Sequence, residues 1–217
     1  MDKEALESLR NDYSDLGIDV SSVDSDPMQQ FSIWFDEAVA SGIAEPNGMV
    51  IATIDPEYGT SQRTVLMKSF DASGFLFYTN YESRKARQID DHPVVSCLFP
   101  WLELHRQVSF QGTVKRATTE QSEKYFQSRP RDSQIGAWAS RQSQLMPDRL
   151  ELESKVAKIE SRFEGQEIPL PEFWGGYQFH PTRIEFWQGR NSRLHDRLVY
   201  THGNDPEQPW RLERLYP

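Results

Sequence analysis

The succession of strand-like and helix-like segments predicts an α+β chain, predominantly antiparallel β, built as a barrel with helices at its periphery. Three observations predict it. Short β-rich runs follow one another from Met49 to Ala117, helix-periodic segments are then grouped between Thr118 and Gly165, and strands return from Tyr177 to the end. This grouping argues against a doubly wound parallel sheet. Consistently, the sequence contains neither GxGxxG after a strand nor GxxxxGK[ST], so a dinucleotide-type Rossmann site and a P-loop are both disfavoured.

The elements follow in order. Residues 1–24 are polar, Ser/Asp-rich and weakly periodic, which is expected of a mobile arm with one short helix at most; residues 25–217 are expected to form a single domain. From Pro27, Phe31, Trp34, Phe35, Ala38 and Val39 recur at helical spacing, with Asp26 placed as N-cap and Pro27 at the first helical position. The runs MVIATID, RTVLMKSF, GFLFYTN, VVSCLFP and RQVSFQGTVKRA read as five strands, separated by turn residues such as PEYG and DASG. One helix, SRKARQIDDHP, interrupts them, with Ser83 at its cap. Three helical stretches come next. TTEQSEKYFQSRP has Thr118 and Gln121 at capping-box spacing, RDSQIGAWASRQSQ follows Pro130, and PDRLELESKVAKIESRFEG carries Leu152, Val156, Ile159 and Phe163 on one face up to Gly165. YQFHPTRIEFWQG, RLVYTHG and WRLERLYP complete the strands, with HGND read as the turn between the last two.

Composition bounds the function classes. Lys and Arg number 24 against 33 Asp and Glu, a formal net charge of −9, which disfavours a general electrostatic grip on nucleic acid or an anionic membrane. Any anion must be held by a local cluster. No apolar run reaches the length of a membrane span and the N-terminus has no signal-type apolar segment, so a soluble cytoplasmic protein is expected. The single cysteine, Cys97, lies in an apolar run and reads as a small buried hydrophobe. The histidines are scattered, without HExxH or a Cys/His cluster, so no metal site is expected.

Three segments carry cations where an anion would explain them. Arg84 and Lys85 fall in the first turn of a helix, where free N–H groups and the dipole already attract phosphate and repel a cation; two solvated cations are the plainer alternative. Tyr125 and Arg129 are four apart, and Ser133 opens the next helix, so a phenol, a guanidinium and a hydroxyl can converge on a second phosphate; packing of the tyrosine and pairing of the arginine with one of many nearby carboxylates is the stronger reading of this segment taken alone. In EFWQGRNSRLHDR, extended geometry would align Arg193, His195 and Arg197 on one face, a repulsive stack unless an anion or π-system lies across it. Trp187 offers a ring that could flank a flat ligand; a solvent-facing polar strand is the alternative.

IEFWQGRNSRLHDR, RTVLMK, FYTNYESRKA, LFPWLELHRQV, YFQSRPRDSQIGAWAS and PLPEFWGG together resemble the pyridoxamine/pyridoxine 5′-phosphate oxidase family, in family order and from about Arg10 to the C-terminus. The resemblance implies an FMN-binding split β-barrel acting as a homodimer with active sites at the subunit interface. By that resemblance Arg63, Lys68, Tyr78, Thr79, Arg84 and Lys85 bind FMN, the last two at its phosphate. Gln107, Gln142, Ser143, Trp187 and Arg197 complete the flavin site, partly from the other subunit. Lys68, Tyr125, Arg129 and Ser133 hold the substrate phosphate, Arg193 and His195 lie over the pyridine ring as the catalytic pair, and Arg10 and Tyr13 belong to an arm that closes over the substrate.

The implied reaction takes hydride from C4′ of pyridoxamine or pyridoxine 5′-phosphate to flavin N5, yields pyridoxal 5′-phosphate, and reduces dioxygen to hydrogen peroxide. Two rival readings are a split-barrel flavin reductase with a nicotinamide donor and a flavin- or pyridoxal phosphate-carrying module without turnover; Tyr125, Arg129 and Ser133 together with Arg193 and His195 argue against both. Arg63 and Lys68 are five residues apart, so a regular strand would send them to opposite faces; a bulge, or backbone contact by one of them, is expected if both touch ligand. Glu45 stands where the resembled pattern has Asp, and no role is assigned to it.

Overall fold

The computed structural model describes residues 17–217; Arg10 and Tyr13 lie outside the described residues. Eight strands form one sheet in the order β3-β2-β1-β4-β5-β6-β7-β8, and β3 pairs also with β6, which closes β1 to β6 into a six-stranded barrel and leaves β7 and β8 as an extension. The strands are β1 Gly48–Asp55, β2 Gly59–Asp71, β3 Gly74–Asn80, β4 Val94–Trp101, β5 Arg106–Arg116, β6 Trp174–Gln188, β7 Asp196–His202 and β8 Trp210–Leu215. The helices are α1 Pro27–Ala40, α2 Arg84–Asp91, α3 Thr119–Ser128, α4 Arg131–Ala139 and α5 Arg149–Arg162. The α+β barrel with peripheral helices expected from the sequence is thus the observed architecture. Among the described residues no helix is long and apolar enough to cross a membrane.

The local chemistry explains the boundaries. Asp26 caps α1 through the Met28 N–H with Pro27 in the first turn, Ser83 caps α2 through the Ala86 N–H, and Thr118 with Gln121 forms a reciprocal capping box on α3. β6 is long because it serves two neighbours: residues 174–179 pair with β3 and residues 183–188 with β7. At Gly74 the backbone has φ +129°, and a Cβ there would sit 1.9 Å from the Phe179 carbonyl oxygen, so only glycine lets β3 approach β6. The β7–β8 connection is longer than the HGND turn expected: His202 pairs with Trp210, and residues 203–209 bridge them.

The chain divides into two compact units by its internal contacts. The first comprises residues 17–48, Cys97–Gln111 and Thr182–Pro217. Its core is aromatic: Phe31 of α1 meets Phe99 and Phe110 at ring-centroid distances of 5.1 Å each, and Trp34 meets Phe186 edge-on at 5.2 Å. The stretch before α1 is docked there. Ile18 is buried and its N–H donates to Asp196 Oδ2 at 3.1 Å, while Tyr200 Oη donates to the Asp24 carbonyl.

The second unit comprises Met49–Ser96 and Gly112–Pro181. Inside it Phe75 stacks on Phe179 at 4.6 Å and Phe77 on Tyr177 at 5.6 Å, so alternate rungs of the β3–β6 pairing, those on one face, are aromatic pairs. A separate apolar cluster of Phe126, Ile135, Phe163, Ile168 and Trp174 holds α3 and α4 in place. Those two helices and β2, β3 and α2 supply the cleft described next.

Candidate functional site

A cleft of about 990 Å³ lies within the second unit. Arg63, Lys68, Arg84, Lys85 and Arg129 all line it, and among the described residues no Asp or Glu does. Cations gathered without carboxylates in a chain of net charge −9 mark a site built for an anion. Tyr78, Thr79, Tyr125, Ser133, Gln142 and Ser143 line the same cleft, so it collects every site residue expected from β2, β3 and α2 to α4.

One end is a cationic nest at the start of α2. Lys85 is 8% exposed, and its Nζ donates to Gln142 Oε1 at 2.8 Å, Thr79 Oγ1 at 3.0 Å and Ser83 Oγ at 3.4 Å, all neutral groups. Burial, and then the Arg63 charge, lower its pKa from 10.5 to about 8. Arg63 likewise has neutral partners: Nη1 donates to Thr53 Oγ1 at 2.5 Å, and Nη2 to Ser61 Oγ at 2.7 Å and Gln88 Oε1 at 3.2 Å. Burial, with Arg84 second, depresses its pKa. Neither cation is bonded directly to a carboxylate, and burying a cation so costs free energy that a bound anion would offset. Arg84 differs, since its Nε and Nη2 bond Asp55 Oδ2 at 2.9 and 2.6 Å.

The bulge expected between Arg63 and Lys68 is present. Met67 pairs with Phe77 but Ser69 with Leu76, so Lys68 is the extra residue on β2, and both cations line the cleft. Beyond β2 the wall is aromatic. Tyr78 stacks on Tyr125 at 4.1 Å and on Trp174 at 5.6 Å, and Lys68 Nζ lies 5.9 Å from the Tyr125 ring.

At the α3–α4 junction Tyr125, Arg129 and Ser133 converge as expected. Arg129 is the C-cap residue of α3, half-buried, with its guanidinium 4.7 Å from the Trp174 ring. Its Nη1 is buried without a hydrogen-bond partner, and burial lowers the group's pKa. The N-cap of α4, Pro130, offers no side-chain cap; the Ser133 and Gln134 N–H groups donate to its carbonyl at 2.9 and 3.1 Å, and the Arg131 and Asp132 N–H groups ahead of them have no side-chain cap. An unpaired guanidinium donor at an uncapped helix start has the chemistry of a phosphate seat.

Gln107, Trp187, Arg193, His195 and Arg197 belong to the first unit. Arg193, His195 and Arg197 do not share the single strand face expected of them. Asn191–Arg193 form a 3-10 turn, Ser192 and Arg193 have φ of 56° and 61°, and β7 starts only at Asp196, so the alternation breaks before Arg197. Arg197 instead pairs across to Trp187, and its Nε donates to Glu185 Oε1 at 2.7 Å. The His195 ring lies 4.6 Å from that of Trp187, and its Nδ1 accepts the Arg190 N–H at 3.1 Å. Burial, then Arg193, lower the histidine's pKa.

Residues 35–163 match the family described as pyridoxamine 5′-phosphate oxidase, and residues 174–217 match a pyridoxine 5′-phosphate oxidase C-terminal dimerisation region. A pyridoxine/pyridoxamine 5′-phosphate oxidase of Rubrobacter xylanophilus is 53% identical over 213 residues, 98% of this chain and 96% of that one. The chain belongs to the pyridoxamine 5′-phosphate oxidase family. A second family member, the enzyme of the same description from Crocosphaera subtropica, is 48% identical over 98% of this chain and 99% of its own. Among solved structures of the family's fold, PhzG from Burkholderia lata 383, in complex with tetrahydrophenazine-1-carboxylic acid, superimposes with a TM-score of 0.87 at 26% identity, covering 95% of this chain and 100% of that one. A pyridoxamine 5′-phosphate oxidase-related, FMN-binding protein from Nostoc punctiforme shares the fold, with a TM-score of 0.68 at 14% identity, covering 86% and 97%.

Sequence reasoning missed some of this oxidase-family cleft. Trp174 lines it and backs Arg129, and Asp55, Gln88 and Thr53 tie its cations together from behind. Trp174 sits in PEFWGG, where the paired glycines that admit Tyr78 and Tyr81 against the strand were a usable signal. The buried polar trio had none, because each is a common residue whose partner is far along the chain.

Proposed function

We propose that the protein is an FMN-dependent oxidase that converts pyridoxamine 5′-phosphate or pyridoxine 5′-phosphate to pyridoxal 5′-phosphate, as a cytoplasmic homodimer built through residues 174–217. The observation that carries the reading is one cleft with two separate anion seats, the Arg63/Arg84/Lys85 nest and the Tyr125/Arg129/Ser133 junction, lined by no carboxylate among the described residues. A flavin carrier needs only the first. The donor set fits the two phosphorylated ligands, since the buried Lys85 has only neutral partners and Arg129 Nη1 has no partner.

In this reading Arg63, Arg84 and Lys85 hold the FMN phosphate, with Lys68, Tyr78, Thr79, Gln142 and Ser143 along the rest of the cofactor. Gln107, Trp187 and Arg197 complete the cofactor site, and Arg193 and His195 face the substrate ring, at the subunit interface of the dimer. Bound FMN supplies the two-electron acceptor for hydride from C4′ and returns the electrons to dioxygen as hydrogen peroxide. The residues supply orientation. Lys68, Tyr125, Arg129 and Ser133 grip the substrate phosphate, remote from the reacting carbon, so that its binding energy positions C4′. Arg10 and Tyr13, ahead of the docked residues 17–24, cover the substrate.

The decisive experiment is the absorption spectrum of the purified protein followed by peroxide production on adding pyridoxamine 5′-phosphate. A yellow protein that releases peroxide stoichiometrically with pyridoxal 5′-phosphate is expected. A yellow protein inert to that substrate overturns the oxidase, and one that cannot be reconstituted with FMN overturns the flavin.

Lys85 gives this reading a pH signature. With its pKa at about 8 in the ligand-free protein, the ammonium is progressively lost above that pH, and a phosphate binds only the charged form well. FMN affinity should therefore be flat near pH 7 and fall as pH rises from 8 to 9.5, by at most about tenfold per unit. Riboflavin, without the phosphate, should show no such fall, and Lys85→Arg should flatten the FMN curve. Parallel curves for the two flavins would remove Lys85 from the phosphate.

A further inference from the structure

The cationic nest has a carboxylate behind it. Asp55, the last residue of β1, is buried at 7% exposure and does not line the cleft. Its Oδ1 accepts the backbone N–H groups of Glu57 and Tyr58 at 3.0 Å each, which locks the carboxylate in the β1–β2 turn. That leaves Oδ2 aimed at α2. There it accepts Arg84 Nε at 2.9 Å, Arg84 Nη2 at 2.6 Å and the Gln88 side-chain amide. Arg84 and Gln88 are one helical turn apart, so one carboxylate reaches both.

Gln88 carries the arrangement onward. Its Oε1 accepts from Thr53 Oγ1 at 2.6 Å and from Arg63 Nη2 at 3.2 Å. The cations it links are mutually repulsive: Arg84 lowers the pKa of Arg63, and Arg63 that of Lys85. Arg84 is also the one with an escape, its side chain being 48% exposed. Without a tether it would relax into solvent until an anion called it back, and ordering it then would subtract from affinity.

We propose that Asp55 is a positioning residue for the phosphate end of this cleft: it holds Arg84 by one edge while Arg84 lines the cleft, and through Gln88 it sets Arg63 in the same arrangement. The proposal rests on the reading of the nest as the FMN phosphate site. Its opposite is a carboxylate that merely repels the incoming phosphate. The low pKa of Asp55, about 2 and due first to Arg84, means that the tether stays charged across the neutral range.

The test is equilibrium binding of FMN and of riboflavin to the apoprotein, followed by flavin fluorescence, for the wild type, Asp55→Ala and Asp55→Asn. In D55A the FMN Kd should rise about tenfold, the loss of one oriented charge-assisted contact, with the riboflavin Kd unchanged. D55N, which keeps an acceptor oxygen but not the charge, should fall between and guards against a folding defect in D55A. Equal weakening of both flavins would reduce Asp55 to a structural role, and unchanged or tighter FMN binding would make it a repulsive bystander; either overturns the proposal. A wild-type protein without preference for FMN over riboflavin refutes the phosphate reading itself, and the proposal falls with it.

Discussion

Replacing Arg129 with methionine should lower kcat/KM for pyridoxamine 5′-phosphate by roughly 30- to 1000-fold, mostly through KM. The magnitude is that of losing one or two charge-assisted hydrogen bonds to a desolvated anion, about 2 to 4 kcal/mol. The expectation comes from Arg129 Nη1, buried and unpartnered, beside Ser133 at the uncapped start of α4. Such a donor is held at a cost that only a ligand recovers. Stability should respond in the opposite sense to activity. The variant gives up a cation–π contact with Trp174 at 4.7 Å, about 1 kcal/mol, but also a desolvated and unsatisfied charge, so the ligand-free Tm should not fall. Pyridoxamine, which lacks the phosphate, is the control: its slow turnover should be unchanged by the substitution. Equal losses with both substrates, or a loss in kcat at constant KM, would place Arg129 elsewhere in the mechanism.

What the sequence made legible follows from the range of the interactions concerned. Capping residues act within three positions, so Asp26, Ser83 and Thr118 could be placed on their helices before any fold was known. The bulge at Lys68 was half legible: the family resemblance required two cations five apart to reach one ligand, which strand geometry allows only through a bulge or through backbone contact by one of them, and the structure has the bulge. Asp55 and Gln88 were illegible because their meaning lies in partners 25 to 33 positions away. The segment around Arg193 misled for a local reason. Alternating Arg, His and Arg fit a strand as written, yet nothing in Ser192 or Arg193 announces a left-handed backbone, which glycine or asparagine normally signals.

That backbone makes Arg193 the sharpest site to test. Two consecutive non-glycine residues with positive φ, Ser192 at 56° and Arg193 at 61°, cost about 1 to 2 kcal/mol each, and strain of this kind is retained where function needs the side chain so presented. Next to it, His195 Nδ1 is engaged by the Arg190 N–H, which places the imidazole proton on Nε2. Protonation at Nδ1 would cost that hydrogen bond, and within the proposed function Arg193 carries a charge that no such bond holds back. Arg193→Leu should then lower kcat about 100-fold, the scale of losing one preorganised electrostatic group, with flavin content unchanged. Arg193→Gly separates the two roles of the residue. It removes the guanidinium and relieves the backbone, so it should be as inactive as the leucine variant yet more stable by about 1 kcal/mol, read as a higher Tm. Wild-type kcat in either variant would remove Arg193 from the reaction. A glycine variant no more stable than the leucine one would mean that the left-handed turn carries no strain for function to explain.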